Sequence, residues 1–208
     1  MPTELENLRK WFVTRASRRI GVEFKDLSMA LKGMEYILAK IEEKQAWHIM
    51  DLGMGFSTLA LRMFVHKCLA TGEPETEDEH HVTQFYSADH DKSWVAFVTE
   101  LLKQKKLRND CCYRMDEIRG KKAHCGGDKL MDVIIVDHGP TMGTRVEDLP
   151  WVVSCLEPDG ILLLDDFRKT NNFQKVCAAE LKKLGFSCIV EDAGRSSENR
   201  AVGIARRA

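Results

Sequence analysis

Five places in this sequence put an acid directly after an apolar, strand-like run. They are Asp51, Asp89, Asp116, Asp137 and the pair Asp165–Asp166. One such aspartate is ordinarily a turn former or a helix cap. Five strand ends closing in acid exceed what turns and solvation need, so the set carries information. Asp137, Asp165 and Asp166 would converge if their strands are neighbours. Three carboxylates so close repel one another unless a hard cation sits among them, one is protonated, or amides donate to them. Two histidines stand beside these acids, His90 after Asp89 and His138 after Asp137. His138 fits either a proton acceptor near neutral pH or a structural hydrogen-bonder in a turn.

The first acid opens "DLGMGFST". Gly53 and Gly55 allow a tight turn and a close approach of ligand to backbone. Ser57 or Thr58 can cap the helix that follows, whose free amides favour a carboxylate or a phosphate. Asp89 can accept hydrogen bonds from both hydroxyls of a ribose. His90 would then line the adenine site. Asp116 fits either the adenine amino group or the cap of the next turn.

The elements that must hold these residues alternate. A capping box, Thr3 with Glu6, starts a helix with Leu5, Leu8, Trp11 and Phe12 on one stripe. Asp26 can cap a second helix carrying Leu27, Leu31, Met34, Leu38 and Ile41. A strand over 46–52 leads into a helix from Ser57. Then "QFYSADHD", "DCCYRMD", "MDVIIVDHGP" and "GILLLDDF" read as strands, and "KSWVAFVTELLKQ", "VEDLPWVVSCL" and "NNFQKVCAAELKKLG" as helices. Pro150 falls near the expected start of the second of these helices, and Gly185 stops the third. "TGEPETEDEHH", 71–81, reads as a solvated acidic loop. Such alternation predicts a Rossmann-like α/β domain, a mostly parallel seven-stranded sheet with helices on both faces. The closing runs "FSCIVEDA" and "AVGIARR" leave no room for a helix between them, so the last strand should run antiparallel in a hairpin. Residues 1–45 are expected to form helices that pack over the site, on a ligand-binding core of residues 46–208.

Composition narrows the function. The chain has 208 residues, with 31 basic and 32 acidic residues and a net charge of -1. Such balance argues against bulk binding of nucleic acid. The charged start "MPTELENLRK" lacks a secretory core, and runs such as "VIIV" and "ILLL" are too short to span a bilayer. Seven cysteines, odd in number and without C-x-x-C spacing, fit a reduced cytoplasmic protein better than a disulfide frame. His124 next to Cys125 is too short a cluster to define a metal site.

Two nucleotide ligands compete for the glycine turn. NAD calls for G-x-G-x-x-G, and here the third glycine position holds Thr58. S-adenosylmethionine has no phosphate and needs a carboxylate partner at the helix, an acid near its ammonium and an acid for its ribose. Asp51, the 53–57 loop and Asp89 supply those roles.

"DLGMGFSTLAL" resembles motif I of the class I S-adenosylmethionine-dependent methyltransferases. "YSADHDKSW" and "VDHGPTMGTRVEDLPWVVSCLEPDGILLLDDFRK" resemble the following segments of a bacterial small-molecule O-methyltransferase subgroup. The resemblance covers roughly 46–207. It implies S-adenosylmethionine as cofactor and a small-molecule acceptor, with no nucleic acid or membrane partner; a homodimer is one assembly left open. "VDH" followed by "LLLDDF" is also similar to the catechol O-methyltransferase pattern, which implies a divalent cation such as magnesium on Asp137, Asp165 and Asp166. Two positions depart from that pattern: an amide is expected where Asp166 stands, and a lysine base is missing from "DHGPT". Alternative readings are a non-catalytic nucleotide- or partner-binding module on the same fold, and an NAD-dependent oxidoreductase.

Overall fold

The computed structural model describes residues 3–21, 29–46, 48–71, 84–110, 112–120, 130–138, 141–167, 172–191 and 201–208. Two helices lead, α1 (Glu4–Ile20) and α2 (Leu31–Lys44). There follow β1 (His48–Leu52), α3 (Phe56–Thr71), β2 (Gln84–Asp89), α4 (Lys92–Gln104), β3 (Cys112–Arg114) and α5 (Met115–Gly120). Then come β4 (Met131–Val136), α6 (Met142–Ser154), β5 (Leu156–Leu164), α7 (Asn172–Lys183), β6 (Phe186–Ile189) and β7 (Gly203–Arg207).

The strands form one seven-stranded sheet in the order β3-β2-β1-β4-β5-β7-β6. β1 to β5 pair in parallel. β7 inserts antiparallel between β5 and β6, as the helix-free ending of the sequence requires. Side chains on a strand alternate between faces, and the core divides accordingly. Ile49, Phe85, Val133, Ile135 and Leu163 pack with α1 to α4 on one face. Met50, Leu52, Ile134, Val136 and Leu162 pack with α5 to α7 on the other. Both faces are therefore covered, which is why the strands read as continuous apolar runs.

The capping box at Thr3 and Glu6 forms in full. α6 starts earlier than expected: Thr141 caps it by accepting a hydrogen bond from the Thr144 amide, and Pro150 lies inside the helix. The small residues of "TMG" masked that start. Thr71, assigned to the acidic loop, closes α3. The expected cap Asp26, loop residues 72–81, the His124–Cys125 pair and the "GRSSEN" connection lie outside the described residues. Cys177 and Cys188 are free thiols. Cys177 is fully buried, and that burial pushes its thiol up to about 12. Among the described residues no helix is long and apolar enough to cross a membrane.

Candidate functional site

The chain leaves β1 toward β2 on one side, while β4 pairs with β1 on the other. The carboxyl ends of β1 and β4 therefore frame the switch point of the sheet, where open α/β folds bind ligands. Gly53 stands in that gap with φ at +110°, a conformation that side chains on L-residues rarely adopt. Its amide donates to the Ala88 carbonyl at 2.8 Å, and the Asp137 amide donates to the Leu52 carbonyl at 2.7 Å. A Cβ on Gly53 would lie 2.3 Å from the Asp137 carbonyl oxygen. Only glycine lets the two strand ends close this tightly.

Two acids hold the glycine loop. Asp51 is wholly buried and points at the first turn of α3. Thr58 Oγ1 donates to its Oδ2 at 2.6 Å, and Ser57 Oγ donates to its Oδ1 at 3.1 Å. Burial pushes Asp51 up to about 7, although both hydroxyls and the Arg62 charge pull the other way. Thr58 Oγ1 also accepts from the Gly55 amide at 3.0 Å, so Thr58 ties the loop rather than only capping the helix. Asp89 accepts from the Met54 amide at 3.1 Å and from the Asp91 amide at 3.0 Å. Burial raises the Asp89 carboxyl, and the two amides oppose the shift. From the outside, Trp94 Nε1 donates to the Met54 carbonyl at 2.6 Å. Phe12 of α1 packs over the same loop, 3.6 Å from where a Cβ on Gly55 would be.

Across the gap, Asp137, Asp165 and Asp166 each bring a carboxylate oxygen within 4.8 Å of the others. Neighbouring residues on a strand should face opposite ways, yet both Asp165 and Asp166 join. The reason is local: Asp166 has φ at +59°, a left-handed turn that aspartate tolerates better than most residues. An arginine from α6 enters the group. Arg145 donates from Nη2 to Asp137 Oδ1 at 2.8 Å, from Nη1 to the Asp165 carbonyl at 3.3 Å, and from Nε to the His138 carbonyl at 2.8 Å. Its Nη1 lies 3.9 Å from Asp166 Oδ2. The carboxylates fit a hard cation by type and spacing, but the positive charge among them is already a guanidinium. A divalent ion there would sit against a fixed like charge.

His138 turns to the opposite face of β4. Its Nε2 meets Asp148 Oδ2 at 2.7 Å, and its side chain has no exposure. Arg119 ion-pairs with the other Asp148 oxygen. Burial pushes the His138 ring below its usual value despite Asp148, while His138 and Arg119 hold the Asp148 carboxyl low against its burial. A neutral imidazole therefore donates to an ionised carboxylate. His90 lies alongside, ring centroids 5.5 Å apart. His138 Nδ1 and His90 Nε2 are both buried without a hydrogen-bond partner. Asp116, in the first turn of α5, is exposed and pairs with Arg114 at 2.6 Å.

The structure thus gathers Asp51, Gly53, Gly55, Ser57 and Asp89 at one loop, and Asp137, Asp165 and Asp166 beside it. Arg145 and Asp148 went unseen in the sequence. The signal was present: with the helix started at Thr141, the two fall one turn apart, on the face that side chains of an early helical turn direct back toward the preceding strand.

No family model and no curated protein matches this sequence. Solved structures do. The O-methyltransferase TomG from Streptomyces achromogenes, involved in tomaymycin synthesis and solved with SAM, superposes with a TM-score of 0.69 at 12% identity over 100% of this chain and 91% of that one. An O-methyltransferase from Bacillus cereus with SAH gives 0.66 at 10% identity over 99% and 91%. The SAH-bound methyltransferase PaMTH1 of Podospora anserina gives 0.67 at 13% identity over 100% and 89%. From its first helices to its antiparallel last strand, this chain has the Rossmann-like fold of those methyltransferases.

Proposed function

We propose that this chain is an S-adenosylmethionine-dependent methyltransferase that methylates an oxygen of a small molecule. The observation that carries the reading is the charge of the switch point. Asp89 stands beside the glycine loop, and Asp137, Asp165 and Asp166 face it across the strand ends, with Arg145 set among the last three. Such a crevice repels the pyrophosphate of a dinucleotide, although the start of α3 would otherwise suit one. It favours a ligand with an ammonium and a sulfonium and no phosphate.

When bound, S-adenosylmethionine supplies an activated methyl group, which passes to the acceptor oxygen as sulfur becomes a neutral thioether. The chain's own residues have three tasks. Gly53 and Gly55 keep the loop flat enough for close approach. Asp89 is partly exposed, and a carboxylate has lone pairs for ribose hydroxyls beyond the two amides it already binds. His90 is assigned to the adenine site, and Asp116 to the adenine amino group or to the turn it opens. The acceptor hydroxyl must also lose a proton. Asp137 is the better placed acceptor of that proton, because its side chain is 19% exposed and that of His138 is not exposed at all. His138, bonded to Asp148, anchors the second turn of α6 instead. Much of the remaining rate comes from orientation and exclusion of water, and α1, lying over Met54–Gly55, is the element suited to cover the acceptor. The reading implies a cytoplasmic enzyme.

Isothermal titration of the purified chain with S-adenosylmethionine, S-adenosylhomocysteine and NAD tests the reading. Binding of the first two and not the third is expected. Binding of NAD alone would refute it.

A further inference from the structure

We propose that Arg145 is the resident cation of the Asp137–Asp165–Asp166 cluster, so that the site neither binds nor uses a divalent metal. The part of this that concerns methyl transfer rests on the function proposed above; the part that concerns metal binding does not.

The argument starts from how Arg145 is held. It is a buried residue on the first turn of α6, the helix that Thr141 caps. Its guanidinium satisfies the backbone ends of two neighbouring strands at once. Nε serves the His138 carbonyl at 2.8 Å, Nη2 the Asp137 carbonyl at 3.3 Å, and Nη1 the Asp165 carbonyl at 3.3 Å. The same Nη2 donates to the Asp137 carboxylate at 2.8 Å, and Nη1 lies within 3.9 Å of Asp166. Every nitrogen is therefore engaged. A planar fork of donors suits this mixture of carbonyls and carboxylates, which a lysine ammonium could not match.

A metal entering the cluster would have to displace these bonds. The arginine would then be left buried with its donors unmet, and three strand-end carbonyls would lose their partner, both costly outcomes. The two departures from the metal-binding pattern in the sequence agree with this. An amide at the position of Asp166 would keep a metal site less negative, whereas a third carboxylate beside a built-in cation offsets that cation's charge. A guanidinium is a permanent cation. It can hold Asp137 in place and sustain an anion beside it. It cannot activate a bound hydroxyl as a metal does, which leaves proton removal to Asp137.

The test is Mn2+ binding to the full chain, read from the free-ion electron paramagnetic resonance signal. The wild type should bind Mn2+ more weakly than roughly 1 mM. Arg145→Gln should bind it at least tenfold more tightly, because the buried guanidinium that opposes a second cation is then gone. Arg145→Lys, which keeps the charge, should behave like the wild type. Stoichiometric Mn2+ binding by the wild type that Asp166→Asn abolishes would overturn the proposal. So would an Arg145→Gln variant that folds and gains no Mn2+ affinity. If Arg145→Gln does not fold, the wild type and Arg145→Lys still decide the matter. Transfer and cofactor binding unchanged in chelator support the second half; transfer lost in chelator and restored by magnesium overturns it. Failure to bind S-adenosylmethionine would sink the proposed function and leave the Mn2+ result standing.

Discussion

The two halves of this crevice meet the same difficulty, acids brought together at strand ends, in opposite ways. At the end of β1 the answer is neutral. Asp51 is wholly buried, accepts from two hydroxyls, and is pushed by burial up to about 7. At the ends of β4 and β5 the answer is ionic, with Arg145 threaded among Asp137, Asp165 and Asp166. On the function proposed above, the glycine loop receives the amino-acid end of a cationic cofactor, which a fixed guanidinium there would repel, and the β4–β5 end holds a standing anion beside the acceptor, which a built-in cation keeps in place.

The sharpest break of the comparison is at the joint between the halves. Gly53→Ala forces an L-residue into φ +110° and drives its Cβ against the Asp137 carbonyl. Strain and overlap together should cost roughly 3 kcal/mol or more. Urea unfolding should show that loss, with a midpoint far below the wild type's. A variant as stable as the wild type would mean that the joint is not closed. Asp89→Ala should come next. It removes two amide acceptors from the loop, at Met54 and Asp91, for about 2–3 kcal/mol. Affinity for S-adenosylmethionine should fall with it, at least tenfold by calorimetry. Asp89→Asn keeps one acceptor and should lie between the two.

How much of this the sequence disclosed follows from the range of each interaction. Strand and helix order, the antiparallel ending and the tight turn at Gly53 depend on local patterns, alternation, chain length and backbone freedom, and they were legible; the approach of Gly53 to the Asp137 backbone was not. The meeting of Asp137 with Asp165 and Asp166 followed once the strands were taken as neighbours. Arg145 was not legible, because its role depends on where α6 starts, and "TMGT" conceals a cap among small residues. The buried pairing of His138 with Asp148 was hidden by the same missed helix start. Asp51 was legible as important but not in direction. Whether an acid on a strand faces the ligand or the helix below it is decided by which hydroxyls that helix brings up, here Ser57 and Thr58.

That direction makes a smaller, pH-resolved prediction. Burial raises Asp51 from an ordinary value of 3.8 to about 7. In that interval the folded chain holds a proton that the unfolded chain has lost. The stability Asp51 contributes is thus complete below about 4 and is lost as pH rises toward 7. The slope is at most about 1.4 kcal/mol per pH unit. Asp51→Asn imitates the protonated acid, and its amide can donate to Ser57. It should match the wild type near pH 4 and exceed it at pH 8. Parallel stability curves for the two proteins across pH 4–8 would show that Asp51 is ionised throughout and that the neutral half of the comparison is wrong.

The smallest expected effect tests where the crevice ends. Asp116 is an exposed acid whose carboxylate pairs with Arg114 at 2.6 Å, two residues back. Exposed pairs of this kind contribute about 0–1 kcal/mol, because water screens them and two mobile side chains must be held still. Asp116→Ala should therefore shift stability by less than about 0.5 kcal/mol. If Asp116 serves only the turn, cofactor affinity should be untouched as well. If it meets the adenine amino group, affinity should drop several-fold while stability stays level, a split that a cap cannot produce. Calorimetry with S-adenosylhomocysteine on this variant reads that split directly. A drop for S-adenosylhomocysteine with none for methionine alone would place the loss at the adenosine end. Equal losses for both would move Asp116 out of the adenine site and shorten the crevice to the strand ends of β2, β1, β4 and β5.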